Sequence, residues 1–192
     1  ALFNSLVAVA QAESGASRGS MESLILRPIV EDAVELYEPL AEEKGLCLVA
    51  SLEDDGPIRG HRQLLSQLVV NLLDNAVKYV PRGGQIRVAV RGDERRVVLE
   101  VADSGPGVPA SQRGRALERF GRIGSSETPG YGLGLSLVAA VARLHDAALD
   151  LGDSGFVGPG ERPSVSGTSG LKVTLSFPRS ATALRSAAPA PK

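Results

Sequence analysis

An apolar repeat between residues 61 and 80 constrains the fold of this 192-residue chain more than any other feature. Residues four apart lie on the same side of an α-helix, so a four-residue repeat produces one continuous apolar face. Such a face must be buried against another layer, and Pro81–Gly84 would end the helix. The apolar pairs are Leu64/Leu65, Leu68/Val69, Leu72/Leu73 and Ala76/Val77.

Two segments of alternating apolar and polar residues predict a β-hairpin directly after this helix. Residues 85–91 and 95–102 have the period of a half-buried strand, and the short link Gly92-Asp93-Glu94 favours antiparallel pairing. Composition and turn residues predict the remaining elements. We expect helices at 1–13, 28–44 and 132–145 and strands at 23–27, 46–52, 149–151 and 171–177, with loops at 103–130 and 152–170.

Charge and cysteine content exclude several classes of protein. The chain has 21 Lys+Arg against 22 Asp+Glu, whereas a general nucleic-acid binder would show a basic excess. One cysteine, Cys47, excludes a disulfide framework, and its position in an apolar run predicts a core residue. His61 and His145 are far apart in the sequence and predict no metal-ligand pair. No apolar run reaches the ~18 residues of a membrane span, so we expect a cytoplasmic protein.

The first group of chemically interesting residues lies on the 61–80 helix. Asparagine is a poor residue for a helix interior, yet Asn71 and Asn75 stand four apart on one face, followed by Lys78 and Tyr79. Together they offer amide oxygens for a hard cation such as Mg²⁺, an ammonium group for phosphate and a ring for stacking. Taken alone, the same pattern is equally typical of a solvated helix face.

The second group is Asp103-Ser104-Gly105-Pro106-Gly107, which follows the second hairpin strand. A carboxylate at a rigid strand end can accept a hydrogen bond from the exocyclic amine of a purine. The two glycines allow the backbone to approach a flat ligand closely. These residue types also form ordinary turns, so the segment by itself is a weak indication of a site.

The third group is Gly130-Tyr131-Gly132-Leu133-Gly134-Leu135, which opens the helix at 132–145. Glycines before a helix N-terminus expose backbone N–H groups to an anion, and the helix dipole adds to the attraction. The spacing matches neither the dinucleotide fingerprint nor a Walker A loop. A glycine-rich turn of this kind can also serve packing alone.

Four motifs in this order resemble the N, G1, F and G2 boxes of the sensor histidine kinases. They are N-L-L-D-N-A-V-K-Y (71–79), D-S-G-P-G (103–107), R-F-G-R (119–122) and G-Y-G-L-G-L (130–135). The resemblance covers about residues 23–178 and extends to the wider superfamily of gyrase B, heat-shock chaperone and mismatch-repair ATPases. It implies an α/β fold: a two-layer sandwich with a mixed, mainly antiparallel sheet and helices on one face.

The resemblance also implies a domain organisation. Residues 1–15, ending in Glu13-Ser14-Gly15, are similar to the end of the dimerisation and phosphotransfer hairpin of these kinases. Residues 16–22 would be a linker, 23–178 the ATP-binding kinase domain and 179–192 a disordered tail.

Roles for five side chains of the first two motifs follow from the resemblance. Asn75, assisted by Asn71, would hold Mg²⁺ against the triphosphate, and Lys78 would contact phosphate oxygens. Tyr79 would pack on the adenine, and Asp103 would accept a hydrogen bond from its amino group.

The F and G2 boxes would surround the phosphates. Arg122 would offset charge on the γ-phosphate, which makes it a catalytic group together with Asn71 and Lys78. Gly105 and Gly107 would shape the pocket floor, and residues 105–130 would form the ATP lid. The other residues of the implied ATP site are Val108, Phe120, Gly130, Gly132, Leu133, Gly134 and Leu135.

Asn71 stands where hydrolysing members of the superfamily carry a glutamate base. An amide has no useful basicity near neutral pH, which favours phosphoryl transfer to a protein acceptor.

Neither His61 nor His145 lies in the acceptor signature of the family, so we expect the acceptor histidine outside this chain. The implied partners are ATP, the histidine-bearing hairpin and a response regulator, in a parent protein that is a homodimer. The sequence leaves open whether the parent is anchored in the inner membrane.

Two other functions stay open at this level. One is a serine kinase of the anti-sigma type, which the helix at 1–13 disfavours because those proteins need no hairpin remnant. The other is a catalytically degenerate nucleotide-binding or protein-interaction module, which the intact set of Asn71, Asn75, Lys78 and Arg122 disfavours.

The chain departs from the family at His145-Asp146, where His-Gly is common, and has a long 152–170 loop.

Overall fold

Seven strands and four helices account for most of the described chain. The structure, a computed structural model, describes residues 10, 12, 19–53, 56–119, 121, 133–156 and 170–180. The strands are β1 (Glu22–Ile25), β2 (Cys47–Leu52), β3 (Pro57–Gly60), β4 (Gln85–Gly92), β5 (Arg96–Asp103), β6 (Ala148–Asp153) and β7 (Leu171–Pro178). The helices are α1 (Arg27–Glu43), α2 (Arg62–Tyr79), α3 (Arg113–Ala116) and α4 (Gly134–Leu144), and a 3-10 turn at Ala110–Gln112 precedes α3.

The main sheet has five strands in the order β2-β4-β5-β7-β6. Strands β2 and β4 are parallel, whereas every other neighbouring pair in this sheet is antiparallel. A separate two-stranded antiparallel ribbon joins β1 to β3. This mixed, mainly antiparallel sheet with helices on one face confirms the predicted α/β sandwich.

Helix α2 is the centre of the helical layer, as its apolar repeat predicts. It packs between α1 and α4 and lies over β5. Its residues Leu65, Leu68 and Leu73 are completely buried. Central strands present equally buried residues, such as Leu99 and Leu175, to the same core. Complete burial of a leucine stabilises the fold by about 1.5–3 kcal/mol, so this one helix contributes a large share of the core energy.

Two short elements were missing from the sequence prediction. Strand β3, Pro57–Gly60, was not predicted, and it forms because it pairs antiparallel with β1, with Glu22 opposite Gly60 and Ile25 opposite Pro57. Helix α3 has only four residues and lies in the predicted 103–130 loop. Both elements are too short for a periodic pattern and depend on tertiary pairing or packing.

The prediction that Cys47 belongs to the core is wrong. Strand β2 is at the sheet edge, and α1 packs against it. Its alternate residues Leu48 and Leu52 are partly buried, whereas Cys47 and Val49 are exposed. The apolar run at 46–52 therefore marks a strand with only one covered face.

His61 and His145 meet in the fold although 84 residues separate them. The backbone N–H of His61 donates to Nε2 of His145 at 3.0 Å, while Nδ1 of His145 lies 2.7 Å from the carbonyl of Val141. His145 is buried and meets the ring of Phe177 edge-on. Since Nε2 accepts a hydrogen bond, the imidazole is neutral with its proton on Nδ1, and it joins the end of α4 to the start of α2.

Asp146 explains one departure from the family pattern. Its φ of 51° lies in the left-handed region, which glycine adopts freely and aspartate tolerates better than most residues. The residue that follows the histidine therefore has the backbone conformation that a glycine would supply. The change from His-Gly to His145-Asp146 leaves the turn after α4 intact.

The remaining predictions for this part of the chain concern the ends and the membrane. The predicted helix at 1–13 and the disordered tail lie almost entirely outside the described residues. Among the described helices, none is both long and apolar enough to cross a bilayer.

Acid should weaken the fold through His145. Burial lowers the pKa of this imidazole below its usual value near 6.5. The stabilisation from its neutral form is therefore fully present above about pH 6.5 and is lost as pH falls through the lower folded-state pKa. We expect His145→Gln, whose amide oxygen can still accept from His61, to cost about 1–3 kcal/mol at pH 8. The free energies of unfolding of wild type and variant, measured in urea from pH 8 to pH 5, should differ less as the pH falls. A difference that stays constant with pH would contradict this role of the neutral His145 imidazole.

Candidate functional site

Three of the sequence motifs converge at one end of the sheet. A side chain added at Gly134, the first residue of α4, would lie 2.8 Å from Nδ2 of Asn75, so the start of α4 rests directly on α2. A side chain added at Gly105 would meet the carbonyl of Tyr79 at 3.5 Å, so the loop after β5 rests on the end of the same helix. The fold thus brings together the asparagine, aspartate-glycine and second glycine motifs.

Asp103 anchors the site through its carboxylate. Its Oδ1 accepts hydrogen bonds from the backbone N–H groups of Gly105, at 2.7 Å, and Leu171, at 3.3 Å. Burial raises the pKa of the Asp103 carboxyl, while these two N–H groups act in the opposite direction. Since both described donors use Oδ1, Oδ2 keeps its capacity to accept from a ligand amine. A fixed, partly desolvated acceptor of this kind suits recognition of an exocyclic amino group.

Glycines allow the backbone to close around this carboxylate. A Cβ at Gly105 would lie 2.9 Å from Oδ1 of Asp103, and Gly107 has φ +68°. Gly170, with φ +64°, is the tightest case, because a Cβ there would lie 1.8 Å from the carbonyl oxygen of Asp103. The sequence analysis did not identify Gly170 or Leu171, and a glycine just before the last strand is the only signal that could have marked them.

The two asparagines on α2 have different local roles. Nδ2 of Asn71 donates to the carbonyl of Gln67, one turn earlier, at 2.7 Å. This bond fixes the amide nitrogen and leaves Oδ1 as the end that can contact a ligand. Asn75 is half-buried against Gly134. Among the described residues no cluster of three or more His, Cys, Asp or Glu could hold a metal ion, so a cation here would depend on amide and ligand oxygens.

The half-buried Lys78 and the exposed Tyr79 form the rim of the site at the end of α2. Nζ of Lys78 lies 4.8 Å from the centroid of the Tyr79 ring, within cation–π range. Tyr79 is 41% exposed, so much of its ring is available to a ligand. Lys44, which the sequence analysis did not identify, donates to the carbonyls of Val77, at 2.5 Å, and Lys78, at 3.0 Å. It holds the last turn of α2 in position.

The N-terminus of α4 completes the described part of the site. Leu133 is buried and precedes the helix, and the hydroxyl of Ser136 donates to its carbonyl at 3.0 Å. The N–H groups at Gly134 and Leu135 belong to the first turn, where free donors and the helix dipole attract anions. Val108 is buried beyond the glycine loop. Phe120, Arg122, Gly130 and Gly132 lie outside the described residues, and their roles remain predictions.

Comparison with known proteins identifies the family. Residues 60–181 match the model of the histidine kinase-, DNA gyrase B- and HSP90-like ATPases. One relative is the adaptive-response sensory kinase SasA of Rippkaea orientalis, which is 37% identical over 125 residues, or 64% of this chain and 32% of SasA. The chain thus spans about a third of the length of such relatives.

Solved structures agree with this assignment. The mycobacterial sensor histidine kinase MprB has a TM-score of 0.66 and 25% identity, covering 82% of this chain and 97% of the MprB chain. Full-length ShkA, solved in complex with AMPPNP, has the same fold, with a TM-score of 0.70 and 24% identity over 92% of this chain and 35% of ShkA. The chain therefore belongs to the histidine kinase-, DNA gyrase B- and HSP90-like ATPase family and is an ATP-binding catalytic domain of the histidine kinase type.

Proposed function

We propose that this chain binds ATP with Mg²⁺ and transfers the γ-phosphoryl group to a histidine that lies outside the chain. The observation that carries the proposal is the Asp103 carboxylate, which is fixed at Oδ1 by two backbone N–H groups and surrounded by glycines. In this arrangement Oδ2 accepts from the adenine amino group. Gly105 and Gly107 let the base approach the backbone, and Tyr79 packs on it.

The phosphates lie between α2 and the start of α4. Lys78 and the first N–H groups of α4 attract the phosphate charge. Asn75, assisted by Oδ1 of Asn71, holds Mg²⁺, which neutralises charge on the transferring group. The chemistry of these two asparagines fits Mg²⁺, because this cation prefers oxygen ligands. Two amide oxygens together with phosphate and water oxygens can complete its coordination. Arg122, close to Phe120 in the sequence, offsets the charge of the γ-phosphate.

The chemistry of Asn71 favours transfer over hydrolysis. Its amide nitrogen is bound to the Gln67 carbonyl, and an amide oxygen does not remove a proton from water at neutral pH. Water in the site is therefore a poor nucleophile, and the phosphoryl group persists until an imidazole reaches it. The acceptor belongs to the histidine-bearing hairpin of a homodimeric parent kinase, and a response regulator receives the group afterwards.

The proposal keeps the domain organisation that the sequence implies. Residues 16–22 would link the end of the phosphotransfer hairpin, at 1–15, to the kinase domain at 23–178, and a tail at 179–192 would follow. The domain works in the cytoplasm, where ATP and the response regulator are found.

Phosphotransfer to a supplied acceptor tests the proposal directly. The 192-residue chain would be mixed with the purified hairpin of its parent protein and ATP labelled at the γ-position. Label on the hairpin that is stable to base and labile to acid is expected, and an acceptor His→Gln hairpin is the control. Nucleotide binding without label would favour a degenerate binding module, and label on a serine would favour the anti-sigma type of kinase.

Asp103→Asn should separate stability from nucleotide binding. The Oδ1 atom of asparagine can still accept from Gly105 and Leu171, which directs the Nδ2 donor towards the adenine amine. We expect ATP-Mg²⁺ at ~100 times its dissociation constant to stabilise the wild type by ~2.7 kcal/mol, roughly 5–10 °C, and the variant to show no shift. Without ligand the variant should unfold at the wild-type temperature or above, because a buried charge is removed.

Asp93→Asn is the matched control for this measurement. Asp93 also accepts two backbone N–H groups at Oδ1, from Arg95 and Arg96, but lies in the β4–β5 turn away from the site. The Asp93→Asn variant should keep the full ATP-dependent rise in melting temperature. An ATP shift that survives in Asp103→Asn would contradict the assignment of the adenine acceptor.

Gly134→Ala should weaken nucleotide binding by displacing Asn75. The new methyl group would lie 2.8 Å from Nδ2 of Asn75, which must move, whereas alanine favours a helix by up to about 1 kcal/mol. We expect an unchanged or higher melting temperature without ligand and a roughly tenfold weaker affinity for ATP-Mg²⁺, equivalent to about 1.4 kcal/mol, by calorimetry. Gly19→Ala, before β1, where an added Cβ also meets nothing within 4 Å, is the control. Equal affinities in both variants would refute the role of Asn75.

A further inference from the structure

Arg113 has no role in the sequence motifs, yet it makes two specific contacts beside the nucleotide site. It is the first residue of α3, five residues after Val108. Its Nε donates to the carbonyl of Val108 at 3.1 Å, and its Nη2 donates to Oδ1 of Asp153 at 2.7 Å. The Arg113 side chain is mostly covered, with 23% exposure. A planar guanidinium fork holds two acceptors in a fixed relation, which an ammonium group does less well.

Asp153 connects this contact back to the carboxylate at the centre of the site. It is the last residue of β6 and is paired with Leu171 at the start of β7. The backbone N–H of Leu171 donates to Oδ1 of Asp103, and the same oxygen accepts from Gly105. The loop from Asp103 to Val108 is therefore held at both ends, by β7 at its start and by Arg113 at its end.

These contacts form a closed ring around the pocket floor. Starting at Asp103, the ring follows the glycine loop to the carbonyl of Val108, crosses to Asp153 through Arg113 and returns through Leu171. The Arg113–Asp153 ion pair is the one link in this ring between two side chains of opposite charge. Breaking it would remove the side-chain link between the end of the glycine loop and β6.

We propose that Arg113, acting through Val108 and Asp153, is a positioning residue for nucleotide binding. Its Nε and one Nη2 donor are engaged by Val108 and Asp153, so we assign it a role in shaping the pocket and not in binding the phosphates. Its effect falls on the part of the pocket that contains Gly105 and Gly107, where the base binds. The inference rests on the proposed function, since it concerns how the ATP site keeps its shape.

The test compares Arg113→Gln, Asp153→Asn and the double variant in the 192-residue chain. Dissociation constants for ATP-Mg²⁺ and ADP would be measured by calorimetry, with melting temperatures without ligand. Each single variant should bind both nucleotides about three- to tenfold more weakly than the wild type. The double variant should bind no more weakly than the single variant with the lower affinity, because both substitutions break the same link. Arg113→Lys should fall between wild type and Arg113→Gln. The ion pair is partly exposed, so the melting temperatures should change little.

Arg91→Gln provides the matched control. Arg91 pairs with Glu100 at 3.7 Å on the sheet and is 54% exposed, so it tests loss of an ion pair away from the site. It should leave both affinities unchanged.

Two outcomes would overturn the inference while the proposed function stands. In the first, the wild type binds ATP but neither Arg113→Gln nor Asp153→Asn changes the affinity. In the second, Arg113→Gln weakens ATP but not ADP and Asp153→Asn has no effect, which would mean direct contact with the γ-phosphate. Failure of the wild type to bind either nucleotide would instead refute the proposed function and this inference with it.

Discussion

The burial of helix α2 against the sheet fixes the position of everything else in this domain. Its leucines fill the space between β5 and the helices α1 and α4. Because this face is continuous and completely apolar, the helix cannot rotate without exposing it to water. The polar residues beside this apolar face are consequently held in a fixed orientation on one side of the helix; they are Asn71, Asn75 and Lys78. A core helix thus provides the rigid side of a binding site.

Three charged or polar groups then connect the neighbouring elements to α2 and to the end of β5. Lys44 caps the final carbonyls of α2, and His145 joins the start of α2 to the end of α4. Asp103 joins the loop after β5 to the start of β7. Each group satisfies backbone N–H or carbonyl groups that would otherwise be costly to bury. The two ends of α2 are therefore fixed by different mechanisms: a buried neutral imidazole at the start and a lysine donor at the end.

Sequence patterns predicted the large elements well because those elements carry long periodic signals. The repeat at 64–77 and the alternation at 85–102 correspond closely to α2, β4 and β5. The same reasoning failed at β3 and at Cys47. Strand β3 has four residues and forms only because β1 is available to pair with it. Whether an apolar run such as 46–52 is covered on one face or two depends on its place in the sheet, which local pattern does not contain.

The sequence by itself determined the chemistry that this domain can offer: amide oxygens, an ammonium group, a carboxylate and glycines in an order typical of one ATPase family. Those residues are fixed by composition and spacing, and their reactivity follows from their functional groups. The tertiary structure alone decided which atoms meet. It placed Gly170 and Leu171 on Asp103, Arg113 between Val108 and Asp153, and Gly134 on Asn75. Contacts between residues distant in the chain arise from sheet order and helix packing, and no local sequence signal specifies them.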